Sequence, residues 1–284
     1  MTLLSNVERY LSKGSFATRR GDSPYHDAVA TTHAPVLGID VGGSGIKGAP
    51  VDVLTGDLVS ERIRLKTPQP ATPGAVAATV AELVGRLDTP GPIGITLPAV
   101  VRHGMVETAA NIDPSWIGAN AHELFGQATG RAVAVVNDAD AAGLAEVRFG
   151  AGKGRTGVIL MLTLGTGIGS ALFIDGVLVP NTELGHVELD GKGDAEDWAA
   201  ASVRDEKELS WKDWAKRLQR YFSLLESVIW PDLIIIGGGV SDQADKFLPR
   251  IALRTEIVPA TLANEAGIVG AAMVVSEGRP SSRA

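Results

Sequence analysis

The stretch VLGIDVGGSGIKGAPVDVLTGDLV, Val36 to Val59, decides the reading of this chain. It holds a G-x-G-x-x-G spacing at Gly43, Gly45 and Gly48, the pattern of a dinucleotide-binding loop. Such a loop must open a helix whose N-terminus receives the pyrophosphate. Here a β-branched run, Val36 to Val41, enters the glycines, and the residues that leave them alternate like a second strand. "PVDVL" and "LVSERIRL" then flank Thr55-Gly56-Asp57, a hairpin turn signal. The dehydrogenase reading therefore fails on context. A Walker A loop fails too, because Lys47 neither follows Gly nor precedes Ser or Thr.

The same arrangement recurs in "GVILMLTLGTGIGSALFIDGVLV", which carries an Asp175-Gly176 turn signal. Gly43-Ser44-Gly45-Ile46 corresponds to Gly165-Thr166-Gly167-Ile168, and Ala49 to Ala171, at one offset of 122 residues. We read an internal duplication of a hairpin with glycines at its bend. Glycine lets successive backbone N–H groups converge on an oxyanion, so two facing bends can clamp a phosphate chain. Taken singly, each bend is equally an ordinary tight turn. Asp40, at the end of the first strand, suits a Mg²⁺ ion or its water near such phosphates.

Elsewhere the patterns predict helices over 74–87 and 115–130, a strand ending at Pro98, and a strand "RAVAVVND". A helix follows with Ala141, Leu144, Ala145 and Phe149 on one stripe. A helical region at 195–228 precedes "PDLIIIGGGVSD", a buried strand ending in three glycines. "QADKFLPRIAL" reads as a helix, and Asn264 as the cap of a last one, rich in Gly and Ala and hence closely packed. Residues 1–34 show no clear periodicity and read as a loosely ordered extension.

Bulk properties narrow the class. With 284 residues, 45% of them hydrophobic, the chain can bury a large core. A net charge of −7 argues against broad nucleic-acid binding. No cysteine is present, which excludes disulfides, thiolate catalysis and cysteine-based zinc sites. No run approaches the ~20 apolar residues of a membrane span. A cytoplasmic location and no membrane partner are the expectation.

Three clusters bear on chemistry. Asn137-Asp138 ends a strand and opens a helix, where the pair can act as a cap. A carboxylate there also projects from the strand edge at which α/β clefts form. "TELGHVELDG" groups Glu183, His186 and Glu188. A metal is one use, but a chain with five histidines and no second one nearby fits sugar hydroxyls better. Gly237, Gly238 and Gly239 read from the sequence alone as a tight strand–helix turn.

At these residues a resemblance enters. "GIDVGGSGIKG", "LTLGTGIGSAL" and "LIIIGGGVS" resemble the phosphate-1, phosphate-2 and adenosine motifs of actin-like ATPases and sugar kinases. "NDADAAGLAE" and "ELGHVELDG" resemble ROK-family sugar kinases, and the likeness is strongest to actinobacterial polyphosphate glucokinases and glucomannokinases. It implies an α/β fold of two actin-like (ribonuclease H-like) domains with a cleft between them: residues 35–136, then 137–263, with a C-terminal helix 264–276 returning to the first. It implies Asp138 as the base for a sugar 6-hydroxyl, with Asn111, Asn137, Glu183, His186 and Glu196 on the sugar. Asp40, Gly42, Gly43, Ser44, Gly45, Lys47, Gly165, Thr166, Gly167 and Gly237 to Gly239 would hold the donor. Glu188 is left structural or exposed. Gly94 and Thr96 to Pro98 are weaker candidates for the cleft wall.

The expected partners are a hexose and a phosphoryl donor, ATP or polyphosphate with Mg²⁺, and a second copy in a homodimer. Many ROK proteins carry a cysteine-rich zinc loop; "GKGDAEDWAA" has no Cys, so no zinc is carried over. A polyphosphate path needs basic residues, for which Lys153, Arg155, Lys212, Lys216, Arg217 and Arg220 stand out, although the last four fit a solvated helix face better. Because ROK proteins include repressors, a non-catalytic sugar-sensing regulator is the alternative.

Overall fold

Strand β1 (Val36–Val41) runs antiparallel to β2 (Gly45–Val51), which pairs antiparallel with β3 (Ile63–Lys66). On its other side β1 is joined by parallel β4 (Ile93–Leu97) and β7 (Val133–Asn137). A small hairpin, β5 (Val101–Arg102) and β6 (Met105–Val106), lies between these two in sequence. The computed structural model describes residues 34–109 and 112–276. Asn111 and the extension through residue 33 lie outside them.

A second sheet repeats the first. Strands β8 (Val158–Leu164), β9 (Ile168–Ile174), β10 (Val177–Val179), β11 (Leu233–Gly237) and β12 (Glu256–Pro259) line up as β10-β9-β8-β11-β12. The first sheet reads β3-β2-β1-β4-β7, with the same sequence of antiparallel and parallel pairs. Every residue of β4 and of β11 is buried, as expected of parallel strands covered on both faces. The doubled α/β architecture expected from the sequence is present.

The register refines the repeat. Val41 pairs with Ile46, but Leu164 pairs with Ile168, so the first bend holds one residue more than the second. The 122-residue offset thus holds on β2 and β9 and becomes 123 on β1 and β8. Asp40 faces Lys47 across the first hairpin; Thr163 faces Gly169 at the equivalent place in the second.

Helices fill the space around the sheets: α1 (Pro73–Leu87), α2 (Ala121–Thr129), α3 (Asp138–Arg148), α4 (Ala195–Ala199), α5 (Ala201–Glu206), α6 (Trp211–Ile229) and α7 (Ala266–Ser276). Eight of the eleven residues of α7 are buried, as befits a helix apolar all round. Its backbone lies directly on β1 and β4. A Cβ on Gly38 would sit 2.0 Å from the Ile268 carbonyl oxygen, and one on Gly94 would sit 1.8 Å from that of Ala271. Gly94 therefore serves packing and not the cleft. None of the described helices is long and apolar enough to cross a membrane.

Several local expectations change. The helix expected over 115–130 is a 3₁₀ turn, Pro114–Trp116, followed by α2; Gly118 at φ +83° breaks it and Asn120 caps the new start. "QADKFLPRIAL" forms 3₁₀ turns, Gly239–Lys246 and Leu248–Arg250, because Gln243 leaves helical dihedrals and Pro249 withholds an N–H. Asn264 sits inside a 3₁₀ turn, Ala263–Glu265, and caps nothing; the last helix begins at Ala266. The turn at Gly56 forms, but its return strand β3 starts only at Ile63.

Glu146 shows how α3 is fixed at its far end. This fully buried carboxylate accepts from the backbone N–H groups of Ala151, Thr261 and Leu262. Glu146→Ala strands those donors, and a loss of about 2 kcal/mol is expected from urea unfolding. Glu146→Gln, which keeps an acceptor, is expected to lose less.

Candidate active site

The bends of the two hairpins, the start of α3 and the turn Leu184–His186 open onto one cavity of about 840 Å³. Its wall holds Asp40, Gly42, Gly43, Ser44 and Lys47 from the first hairpin, and Gly165, Thr166 and Gly167 from the second. Asn137, Asp138, Glu183, His186, Glu196, Gly237 and Gly238, also named from sequence, line it as well. Pro98 joins the wall. Gly45 and Gly239 do not line it. Gly45 begins β2, where a Cβ would strike the Arg64 guanidinium at 2.5 Å, and Gly239 opens the following 3₁₀ turn.

At the glycine end, Asp40 Oδ1 accepts the Thr96 hydroxyl at 2.8 Å, and Oδ2 faces Lys47 Nζ at 3.3 Å. Thr96 is fully buried and in turn accepts the Val41 N–H, so it orients the carboxylate rather than lining the cleft. The first bend is braced from outside: the Thr67 hydroxyl donates to the Gly42 carbonyl at 2.6 Å and Arg64 to that of Ser44 at 3.2 Å.

Asp138 begins α3 and lies on the wall of the same cavity. Burial, then the charge of Asp40 and to a lesser degree that of Glu183, push its carboxyl up to about 7, although its Oδ1 accepts the Ala139 N–H at 2.8 Å. Asn137 is the helix cap: its Oδ1 accepts from Ala139 and Asp140, and its Nδ2 donates to the Ala99 carbonyl. Its amide oxygen is thus committed to holding the neighbouring acid in place.

The polar cluster forms because Gly185 lets its turn lie flat on β9; a Cβ there would meet the Ile168 carbonyl oxygen at 2.2 Å. His186 then stands between two carboxylates, with Nδ1 3.8 Å from Glu183 and Nε2 3.5 Å from Glu196. Glu196 Oε2 also accepts the Ile168 N–H at 2.9 Å, tying this cluster to the second bend. Burial and the charge of Glu196 raise the Glu183 carboxyl, with His186 opposing. Glu188 is exposed and outside the cavity.

Behind this site Asp140 lines a separate cavity of about 800 Å³. Burial pushes its carboxyl up to about 7; Oδ2 accepts the Asn181 N–H, while Oδ1 is buried without a partner among the described residues. Sequence reasoning missed Thr108, Ser241 and Asn264 on the main cavity wall. Isolated polar residues in loops and 3₁₀ turns carry no periodic signal that would have found them.

None of the basic residues considered for a polyphosphate path bonds to a residue of the cavity wall among the described contacts. Arg155 pairs with Glu256, Lys216 with Asp213, and Arg220 with Asp190. Arg217 donates to the Trp198 carbonyl, and Lys153 and Lys212 are exposed outside the cavity.

The sequence profile of the ROK family matches residues 36–200, the span holding both hairpins, Asp138 and the Glu183–His186–Glu196 cluster. The chain belongs to the ROK family. This ROK protein is 56% identical over 245 residues to the polyphosphate glucokinase of Mycobacterium tuberculosis strain H37Rv, covering 86% of this chain and 92% of the relative. To the polyphosphate glucokinase of Mycobacterium leprae it is 51% identical over 257 residues, covering 90% and 79%. Its fold superposes on the inorganic polyphosphate/ATP-glucomannokinase of Arthrobacter sp. strain KM with a TM-score of 0.83. The identity there is 52%, covering 86% of this chain and 99% of the other.

Proposed function

We propose that this ROK protein is a hexose kinase that transfers a phosphoryl group from inorganic polyphosphate or ATP to the 6-hydroxyl of glucose, with mannose as a further acceptor. One observation carries the reading: a desolvated carboxyl, Asp138, shares a single cavity with two glycine bends and a Glu–His–Glu cluster. Phosphoryl transfer needs those three parts together: a base at the alcohol, donors around the moving phosphate, and groups that position the acceptor.

The sugar hydroxyls engage Glu183, His186 and Glu196, leaving the 6-hydroxyl at Asp138. As the new O–P bond forms, Asp138 takes the hydroxyl proton and the bond to the leaving phosphate of the donor breaks. Backbone N–H groups of the two bends and the Lys47 ammonium face the charge on the phosphates. Asp40 fits a Mg²⁺ ion, which needs one or two carboxylates when donor phosphates and water supply the rest. When bound, that ion would neutralise donor charge. The relatives' names and the presence of Asp138 favour a kinase over a sugar-sensing regulator. A homodimer in the cytoplasm belongs to the same proposal; sedimentation tests the dimer.

A coupled glucose 6-phosphate assay comparing ATP with polyphosphate, repeated with mannose, tests the function. DNA binding without any phosphoryl transfer would reverse it. The pH profile tests the chemistry. Asp138 must be ionised to accept a proton, so kcat/KM is expected to fall about tenfold per pH unit below a midpoint near 7. A flat profile down to pH 5 would remove Asp138 from that role.

A further inference from the structure

The outer edge of the first sheet carries a feature the reaction does not use. In "ERIRLK", Arg62, Arg64 and Lys66 fall at a spacing of two and are all exposed. In an extended segment that spacing puts them on one face, with neighbours about 6.7 Å apart. The register fixes which face it is. Arg64 lies directly across from Lys47, and Lys47 from Asp40, so the row shares its face with the Asp40 carboxylate.

The row also touches the mouth of the cavity. Arg64 donates to the Ser44 carbonyl at the first bend, and Arg62 reaches the carbonyl of Asn264, another wall residue. Lys66 pairs in register with Gly45, beside the bend. None of the three has a carboxylate partner among the described residues. In a chain of net charge −7 this is a local positive strip leading out from Lys47.

We propose that Arg62, Arg64 and Lys66 form a track for the length of an inorganic polyphosphate chain that extends beyond the reacting phosphates. The inference rests on the donor reading given above. A nucleotide ends its phosphates within the cleft, whereas a polyphosphate continues outward with charge on every unit and requires cations along its path.

The test compares the Arg62→Gln/Lys66→Gln variant with wild type, using long-chain polyphosphate and ATP as alternative donors. The expected result is a rise of about tenfold in KM for long-chain polyphosphate, from two lost exposed charge contacts. KM for ATP is expected to move less than twofold. The salt dependence of the polyphosphate KM should become shallower. Lys153→Gln/Lys212→Gln, with the same change in net charge, should leave the polyphosphate KM in place. An unchanged polyphosphate KM in the track variant, an equal rise for both donors, or an equal effect of the control pair would each overturn the track. Wild-type enzyme that uses ATP, and that long-chain polyphosphate neither serves nor inhibits, would overturn the donor reading and the track with it.

Discussion

Asp138→Asn is expected to lower kcat by about 10²–10⁴-fold, the contribution typical of a positioned general base. Glucose affinity should persist, because the Glu183, His186 and Glu196 cluster is untouched and Asn137 still caps α3. The same variant carries a second signature, in stability. The folded-state carboxyl titrates near 7, above its usual value of 3.8, so the native state holds its proton longer than the unfolded chain does. The stability of the wild type therefore declines as pH rises from about 4 to 7, and the full penalty stands above that window. Asparagine carries no charge, so Asp138→Asn should melt higher than wild type at pH 8 and show a smaller difference at pH 4. Lost turnover together with gained stability separates a missing base from a damaged fold. Turnover near that of the wild type would show that Asp138 is not the base.

Gly270→Ala is expected to cost about 3 kcal/mol or more, at the upper end of overpacking effects. In an exposed helix interior this exchange ordinarily stabilises by up to about 1 kcal/mol. At Gly270 the new Cβ would lie 1.8 Å from the Ala141 carbonyl oxygen, a backbone atom in the first turn of α3 that cannot rotate away. Helices α3 and α7 would have to part, opening the core between the two sheets and shifting the helix that begins at Asp138. Thermal unfolding should show a fall of roughly 10 °C. Gly85→Ala provides the comparison: it lies in α1 with open space around its Cβ position, and a small gain is expected there. Equal effects at the two sites would mean that the α3–α7 contact is not tight.

The hairpins were legible because strand alternation and glycine bends are local properties, and the repetition of one in the other made their pairing visible. Asp138 stood out because it ends a strand and opens a helix, where side chains enter clefts, whereas Glu183 and His186 stood out as a group of polar residues whose role the ROK resemblance implied. Register was not legible. Nothing in "GIDVGGSGIKG" alone says that the first bend is one residue longer than the second, since that depends on which residues pair across it. Gly94 read as a weaker candidate for the cleft wall, but α7 rests on it. The Arg62–Lys66 row lay in plain alternation, yet only its pairing with Lys47 connects it to the phosphate end. Asn264 looked like a cap because its side chain suits one, but the chain turns once more before α7 starts.

The paired hairpins have one more consequence. Their backbones repeat, but their side chains do not: Asp40 and Lys47 face each other in one, Thr163 and Gly169 in the other. A polymer of identical phosphates has no polarity along its interior, so nothing in such a donor says which way it should thread. On the proposed function, a cradle with an Asp–Lys pair in one hairpin and a Thr–Gly pair in the other would supply the missing direction. It would make the two ends of the groove inequivalent, and so would distinguish the unit to be given away from those that follow it.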